Sequence, residues 1–197
     1  MASTAPRQQP AALFSLPNQL TTSRLVLAVV LFVLIEWERW TACVVVFGIA
    51  AVTDWLDGFV ARWQGQTSAL GRVLDPLVDK VLVCGAFIFL LPRGQKDGWL
   101  TPWMVTVVVS RELIITGLRG YLEMGGAKFG ADWLGKIKMT LQCVALVVVF
   151  YSLGHPVEPL PLVRDLCIWA MILATILSGV QYLWRAFLIW RHDSGLA

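Results

Sequence analysis

Six apolar stretches run through this chain of 197 residues, and most of them are too short to cross a membrane alone. They are Leu25–Ile35, Trp40–Thr53, Val81–Leu91, Trp99–Ser110, Met139–Gly154 and Leu166–Trp184. Only the last approaches the roughly 20 residues that a spanning helix needs. The others reach that length only if each helix continues into the charged sequence beside it. Because 57% of the residues are hydrophobic and only 15% are charged, we predict an integral membrane protein.

From these lengths we predict an all-α fold of six transmembrane helices around a polar cavity. The expected helices cover residues 20–38, 40–63, 72–92, 99–122, 134–154 and 163–190. With the N-terminus inside, all sixteen Lys and Arg residues fall on the inner side except Arg39, Arg93, Lys96 and Arg164. Since basic residues accumulate on the cytoplasmic side of membrane proteins, we expect the cavity to open to the cytoplasm.

The whole chain, 1–197, is predicted to be a single membrane domain. We expect residues 1–19 to form an interfacial or a disordered segment, in which Leu13, Phe14 and Leu16 are the apolar contacts. The first dozen residues lack a continuous apolar core, so we do not expect a cleavable signal peptide.

Four aspartates lie close together within this apolar chain: Asp54, Asp57, Asp75 and Asp79. Positions 54, 57, 58, 61 and 62 share one face of a helix, and positions 71, 75 and 79 share one face of a second helix. If the two faces meet, four carboxylates converge and require cations between them. All-oxygen ligation favours Mg²⁺, Mn²⁺ or Ca²⁺. Helix capping is the alternative, but it accounts only for Asp75, which precedes Pro76.

The residues around these aspartates fill a pattern of eight fixed positions, D-x2-D-G-x2-A-R-x8-G-x3-D-x3-D. The positions are occupied by Asp54, Asp57, Gly58, Ala61, Arg62, Gly71, Asp75 and Asp79. In this pattern the chain resembles the CDP-alcohol phosphatidyltransferases. The resemblance implies transfer of a phosphatidyl group from CDP-diacylglycerol to an alcohol, with release of CMP.

The same resemblance implies a site for two Mg²⁺ or Mn²⁺ ions, because paired ions clamp the attacking and leaving oxygens in such reactions. The metal ligands would be Asp54, Asp57, Asp75 and Asp79. Asp79 would also be the general base that takes the proton from the attacking hydroxyl.

A nucleotide site is implied beside the metals. Gly58 and Ala61 leave a shallow floor that lets a nucleotide approach the backbone, and Arg62 can pair with a phosphate through two parallel hydrogen bonds. Asn18-x-x-Thr21-x-x-Arg24, before the first apolar stretch, resembles the phosphatidylglycerophosphate synthases within this family. The implied nucleotide-binding residues are Asn18, Thr21, Asp57, Gly58, Ala61, Arg62 and Gly71.

A second polar cluster follows in the fourth and fifth expected helices. Arg111 and Arg119 are eight residues apart on one helix face, and Lys136 and Lys138 open the next helix. Basic groups beside apolar sequence must face a cavity or a partner. We therefore interpret these four residues as a pocket for a phosphate on the acceptor. Two alternatives remain: Arg111 pairs with Glu112 or with an aspartate, and the lysines bind anionic lipid headgroups.

Within the family, Arg111-Glu112 and Gly135-Lys-x-Lys-x-Thr-x-Gln142 resemble the phosphatidylglycerophosphate synthases, whose acceptor is sn-glycerol 3-phosphate. That resemblance implies a homodimer in the bacterial cell membrane, with membrane lipids and the two substrates as partners and no nucleic acid. Members that use serine, an inositol phosphate or phosphatidylglycerol share the core pattern and stay open. A divalent-cation transporter is the competing class, but it gives no reason for Gly58, Ala61 and Arg62 on the aspartate face.

Overall fold

The computed structural model describes the backbone of residues 16–64, 69–124 and 133–193. Within these ranges it describes the side chains of 22–53, 77, 78, 80–120, 133–188 and 191. The described residues form six helices and no strand, which confirms the predicted all-α fold. The helices are α1 Leu16–Glu36, α2 Trp40–Gln64, α3 Ala69–Lys96, α4 Pro102–Met124, α5 Trp133–Gly154 and α6 Leu160–Asp193.

The helices extend beyond their apolar stretches, as the length argument requires. α2 continues from Thr53 through the first half of the aspartate motif to Gln64, and α3 begins at Ala69, six residues before Asp75. α1 begins at Leu16, four residues earlier than the position expected from hydrophobicity. A helical backbone satisfies its own hydrogen bonds, so it persists where the apolar pattern has already ended.

The helices pack through small residues and aromatic rings. α1 lies against α2 and α3, α4 lies against α3 and α6, and α5 lies against α2 and α6. Ala28, Ala86 and Ala145 are fully buried, which lets helix backbones approach closely. Gly85 of α3 serves the same purpose, because a Cβ there would overlap the ring of Phe32 on α1.

Three short connections, 37–39, 97–101 and 155–159, meet at one end of the bundle, which we call the turn end. Arg93 pairs with Glu38 across the first two connections at 3.4 Å. The guanidinium of Arg164, at the start of α6, lies 4.8 Å from the ring centre of Trp99. The helices therefore alternate in direction. The opposite end of the bundle contains the segments 16–24, 54–64, 69–80, 111–124, 133–142 and 178–193. We call this the motif end.

Much of the outer surface is apolar. Val29, Val45, Ile49, Leu173 and Val180 are among the exposed large hydrophobic side chains. In the described part of the chain, Trp133–Gly154 and Leu160–Leu188 are long and apolar enough to cross a membrane, and neither is mostly buried. Trp40–Thr53 is a shorter apolar segment. Because such surface is costly in water, these features indicate a membrane protein.

Candidate active site

The aspartate motif lies at the motif end, on the helices that its spacing predicted. Asp54 and Asp57 belong to α2, and Asp75 and Asp79 belong to α3. The other positions of the predicted metal and nucleotide sites are also helical: Asn18 and Thr21 in α1, Gly58, Ala61 and Arg62 in α2, and Gly71 in α3. The side chains of all ten positions lie outside the described residues, so their assignments stay predictions.

The composition of the motif fits divalent metal ions. Four carboxylates form an all-oxygen donor set, which suits Mg²⁺ and Mn²⁺. α1 packs against both α2 and α3, so the two helices that carry the aspartates share a neighbour. Among the side chains that the structure describes, no group of three or more His, Cys, Asp or Glu residues could hold a metal ion. The aspartate motif is the candidate metal site because of its four carboxylates.

A buried charged network lies at the same end of the bundle. Lys138 of α5 donates a hydrogen bond to Oε1 of Glu112 on α4. Nη1 of Arg111 donates to the same carboxylate oxygen at 3.3 Å. Glu112 and Lys138 are 6% and 4% exposed, so this ion pair is almost fully removed from solvent. One carboxylate thus holds two cations from two helices.

Arg111 is also held by the last helix. Its Nη2 donates to Oγ of Ser178 at 2.9 Å, and its guanidinium carbon lies 5.7 Å from the ring centre of Tyr182. Gly179 makes room for the arginine stem, because a Cβ at that position would lie 3.3 Å from Cγ of Arg111. The guanidinium is therefore fixed from three sides, by a carboxylate, a hydroxyl and an aromatic ring.

Further polar groups surround this network. Lys80 of α3, which directly follows Asp79 in the sequence, lies within electrostatic range of Lys138. Gln142, one turn beyond Lys138, is 2% exposed, and its Nε2 has no hydrogen-bond partner among the described residues. The buried Nε of Arg111 likewise has no acceptor there. Buried donors without an acceptor are rare in folded proteins and often mark a place where a ligand or water binds.

The structure divides the four predicted acceptor-site residues into two pairs. Arg111 and Lys138 come together through Glu112, so the pairing of Arg111 with Glu112, the alternative to a phosphate pocket, is present. Arg119 and Lys136 are exposed, at positions nearer the helix ends of the motif end. The predicted pocket therefore has a buried part and an outer part, and only the buried part is connected by described hydrogen bonds.

Sequence reasoning missed the contribution of α6 and understated that of Glu112. No site residue is predicted from the sequence in α6, yet Ser178 and Tyr182 contact Arg111. A sequence signal exists: Ser178, Gly179 and Tyr182 lie within two turns of each other in an otherwise apolar helix. Small and polar residues in such a helix indicate a face turned toward other helices.

Comparisons with known proteins identify the family of the chain. The sequence profile of the CDP-alcohol phosphatidyltransferase family matches residues 14–180. The chain belongs to this family.

Several relatives carry the name CDP-diacylglycerol–glycerol-3-phosphate 3-phosphatidyltransferase. The Bacillus subtilis (strain 168) protein is 35% identical over 187 residues, which cover 86% of this chain and 94% of the relative. The Sodalis glossinidius protein is 36% identical over 188 residues, covering 91% and 96%. The Escherichia coli (strain K12) protein is 38% identical over 139 residues, covering 68% and 75%.

Proposed function

We propose that the protein transfers a phosphatidyl group from CDP-diacylglycerol to sn-glycerol 3-phosphate, forming phosphatidylglycerophosphate and CMP. The family and the names of the relatives support this reaction. The observation that carries the choice of acceptor is the buried Arg111–Glu112–Lys138 network at the motif end. A fixed arginine with unused donors beside a second cation is suited to a phosphate.

The aspartate motif would hold the reacting end of CDP-diacylglycerol. Asp54, Asp57, Asp75 and Asp79 would hold two Mg²⁺ or Mn²⁺ ions, which would supply positive charge to the pyrophosphate and the departing CMP. Gly58, Ala61 and Gly71 leave space for the nucleotide, and Arg62 pairs with a phosphate. Asn18 and Thr21 of α1 would complete the nucleotide site, since α1 packs against both motif helices.

Asp79 is the proposed general base. Its carboxylate takes the proton from the attacking hydroxyl of sn-glycerol 3-phosphate. The hydroxyl oxygen forms a bond to the phosphorus that carries diacylglycerol, and the bond from that phosphorus to the CMP oxygen breaks. CMP leaves with the electron pair of that bond, so no further reactant is needed.

Charge in the described part of the site favours an anionic acceptor. Glu112 is one negative charge, whereas Arg111 and Lys138, which both contact it, are two positive charges. Uncompensated positive charge is costly in a buried place, and a phosphate dianion would offset it. Serine carries a carboxylate with an ammonium, so it matches this excess less well. An inositol phosphate carries the same phosphate group, and the choice between it and sn-glycerol 3-phosphate rests on the names of the relatives. Arg119 and Lys136, at the outer part of the pocket, would guide the phosphate inward.

The membrane arrangement follows from the same reasoning. We infer that all six helices cross the membrane of a bacterial cell, with the motif end toward the cytoplasm and the turn end outside. The diacylglycerol tails would then stay in lipid during catalysis; extracting them would cost about 0.8 kcal/mol per CH₂. A homodimer and a single domain spanning 1–197 complete the proposal.

A comparison of acceptors tests this function. The purified protein in mixed micelles with CDP-diacylglycerol should release CMP fastest with sn-glycerol 3-phosphate. Serine, an inositol phosphate and phosphatidylglycerol serve as the alternative acceptors. Each reaction is run with Mg²⁺ and with excess chelator. Faster release with another acceptor would identify a different member of the family, and no release with any of these acceptors would contradict the proposed reaction.

A further inference from the structure

The last helix makes a polar contact with the proposed acceptor pocket. α6 is the longest helix, running from Leu160 to Asp193, and most of its exposed side chains are apolar. Yet three of its residues on one face, Ser178, Gly179 and Tyr182, are buried and turned toward Arg111 of α4. The contact joins residues 67 positions apart in sequence, so it depends on how α4 and α6 pack.

Ser178 is placed to orient the guanidinium. Its Oγ accepts a hydrogen bond from Nη2 of Arg111 at 2.9 Å and donates its own proton to the carbonyl of Thr175 at 3.2 Å. Because the hydroxyl proton is donated to a backbone carbonyl of the helix, a lone pair of the oxygen faces the arginine. Ser178 is fully buried, so water cannot readily replace this contact.

The other contacts leave little freedom for the arginine. Glu112 accepts from Nη1, and the Tyr182 ring lies against the guanidinium at a distance typical of cation–π contacts. The missing side chain at Gly179 admits the stem of Arg111 to this position. Of the five N–H donors of a guanidinium, the hydrogen bonds to Glu112 and Ser178 use one on each terminal nitrogen. The N–H of the buried Nε has no acceptor among the described residues.

We propose that Ser178 and Gly179 are positioning residues for the acceptor: they fix Arg111 so that its unused N–H donors face the phosphate of the acceptor. This inference rests on the proposed function, since it assigns to Arg111 the phosphate of sn-glycerol 3-phosphate. It gives α6 a part in substrate selection, although α6 carries no residue of the aspartate motif. An acceptor without a phosphate would gain nothing from the arrangement.

Kinetics of the full-length protein in mixed micelles with CDP-diacylglycerol test the proposal. Ser178→Ala should raise the KM for sn-glycerol 3-phosphate by about three- to tenfold, the range that one lost hydrogen bond corresponds to. The kcat and the KM for CDP-diacylglycerol should change by less than about twofold, and Ser178→Thr, which keeps the hydroxyl, should restore the KM. Gly179→Ala should raise the same KM, because the new Cβ displaces the stem of Arg111.

Matched controls separate positioning from general damage. Ser152→Ala removes a buried serine of α5 near the turn end, and Gly48→Ala adds a Cβ on α2 where no described atom lies within 4 Å. Both should leave the two Michaelis constants unchanged. The double variant Arg111→Gln with Ser178→Ala is decisive: if Ser178 acts through Arg111, it should have the same KM as Arg111→Gln alone.

The outcomes are distinct. An unchanged KM for sn-glycerol 3-phosphate in Ser178→Ala overturns the inference, and so does a further rise in the double variant. If the parent protein releases CMP with an uncharged acceptor but not with sn-glycerol 3-phosphate, the proposed function has failed and the inference falls with it. If the parent uses sn-glycerol 3-phosphate while Ser178→Ala behaves like Ser152→Ala, only the inference has failed.

Discussion

Lys138 of α5 donates a hydrogen bond to Glu112 of α4, and the side chains of this pair are only 5% and 7% exposed. The same carboxylate oxygen accepts from Arg111. Two helices are thus joined by one buried anion between two cations. In a partly desolvated place this arrangement is stable only while the anion is present, because the two cations would otherwise repel each other.

Removing the Glu112 charge should destabilise the protein more than removing that of Lys138. Glu112→Gln leaves two buried cations without a counter-charge and should cost about 3–5 kcal/mol, whereas Lys138→Met leaves Glu112 paired with Arg111. The combination of both substitutions should be more stable than Glu112→Gln alone. Thermal unfolding in detergent measures these differences, with Ser152→Ala as the control. Equal unfolding temperatures for Glu112→Gln and the control would show that the network contributes nothing to stability.

The sequence predicted the helices well because their apolar pattern is strong, but it placed several ends wrongly. α3 runs to Lys96 and α6 to Asp193, three or four residues beyond the expected ends. A helix does not have to end where hydrophobicity ends, particularly near a membrane surface where Lys and Arg are tolerated. The need to span a membrane therefore predicts the length of a helix better than it predicts the residues at which the helix begins and ends.

The partners of Arg111 and Lys138 could be predicted only in part. Glu112 is adjacent to Arg111 in sequence, so that pairing was an open alternative from the start. Lys138 lies 26 residues from Glu112, and Ser178 lies 67 residues from Arg111. Contacts over such separations depend on helix packing, which no local pattern specifies. For the aspartates, the structure confirms only the helical backbone that their spacing assumed.

Activity should depend on divalent ions held by the aspartates. Asp54→Asn and Asp75→Asn each replace a charged carboxylate ligand by a neutral amide. CMP release should therefore fall to background in both variants, and also in the parent treated with excess chelator. Added Mg²⁺ should restore only the chelated parent. Full activity in excess chelator would reject the metal assignment.

Asp79 should affect turnover more than binding. If it is the general base, Asp79→Asn should lower kcat by roughly 10²-fold or more, while binding of CDP-diacylglycerol stays nearly intact. Single-turnover CMP release and nucleotide binding, measured on the same preparation, separate these effects. A collapse of CDP-diacylglycerol affinity with kcat preserved would make Asp79 a binding residue only.

The cationic residues should control the KM for the acceptor according to their burial. Arg111→Gln should raise the KM for sn-glycerol 3-phosphate by roughly tenfold to a hundredfold, because a charge-assisted hydrogen bond contributes about 1.5–3 kcal/mol. Arg119→Gln and Lys136→Gln should raise it less, and added salt should reduce their effect, since exposed charges are screened. The KM for CDP-diacylglycerol serves as the internal control. Unchanged acceptor KM values in all three variants would reject the pocket.

The most direct test of the proposed reaction follows the acceptor into the product. The purified protein is incubated with CDP-diacylglycerol, Mg²⁺ and radiolabelled sn-glycerol 3-phosphate, and both the labelled lipid and free CMP are measured. We predict that label enters a lipid with the properties of phosphatidylglycerophosphate, one molecule for each CMP released, and that Arg111→Gln slows both in parallel at low acceptor concentration. CMP release without label in the lipid would contradict the proposed function.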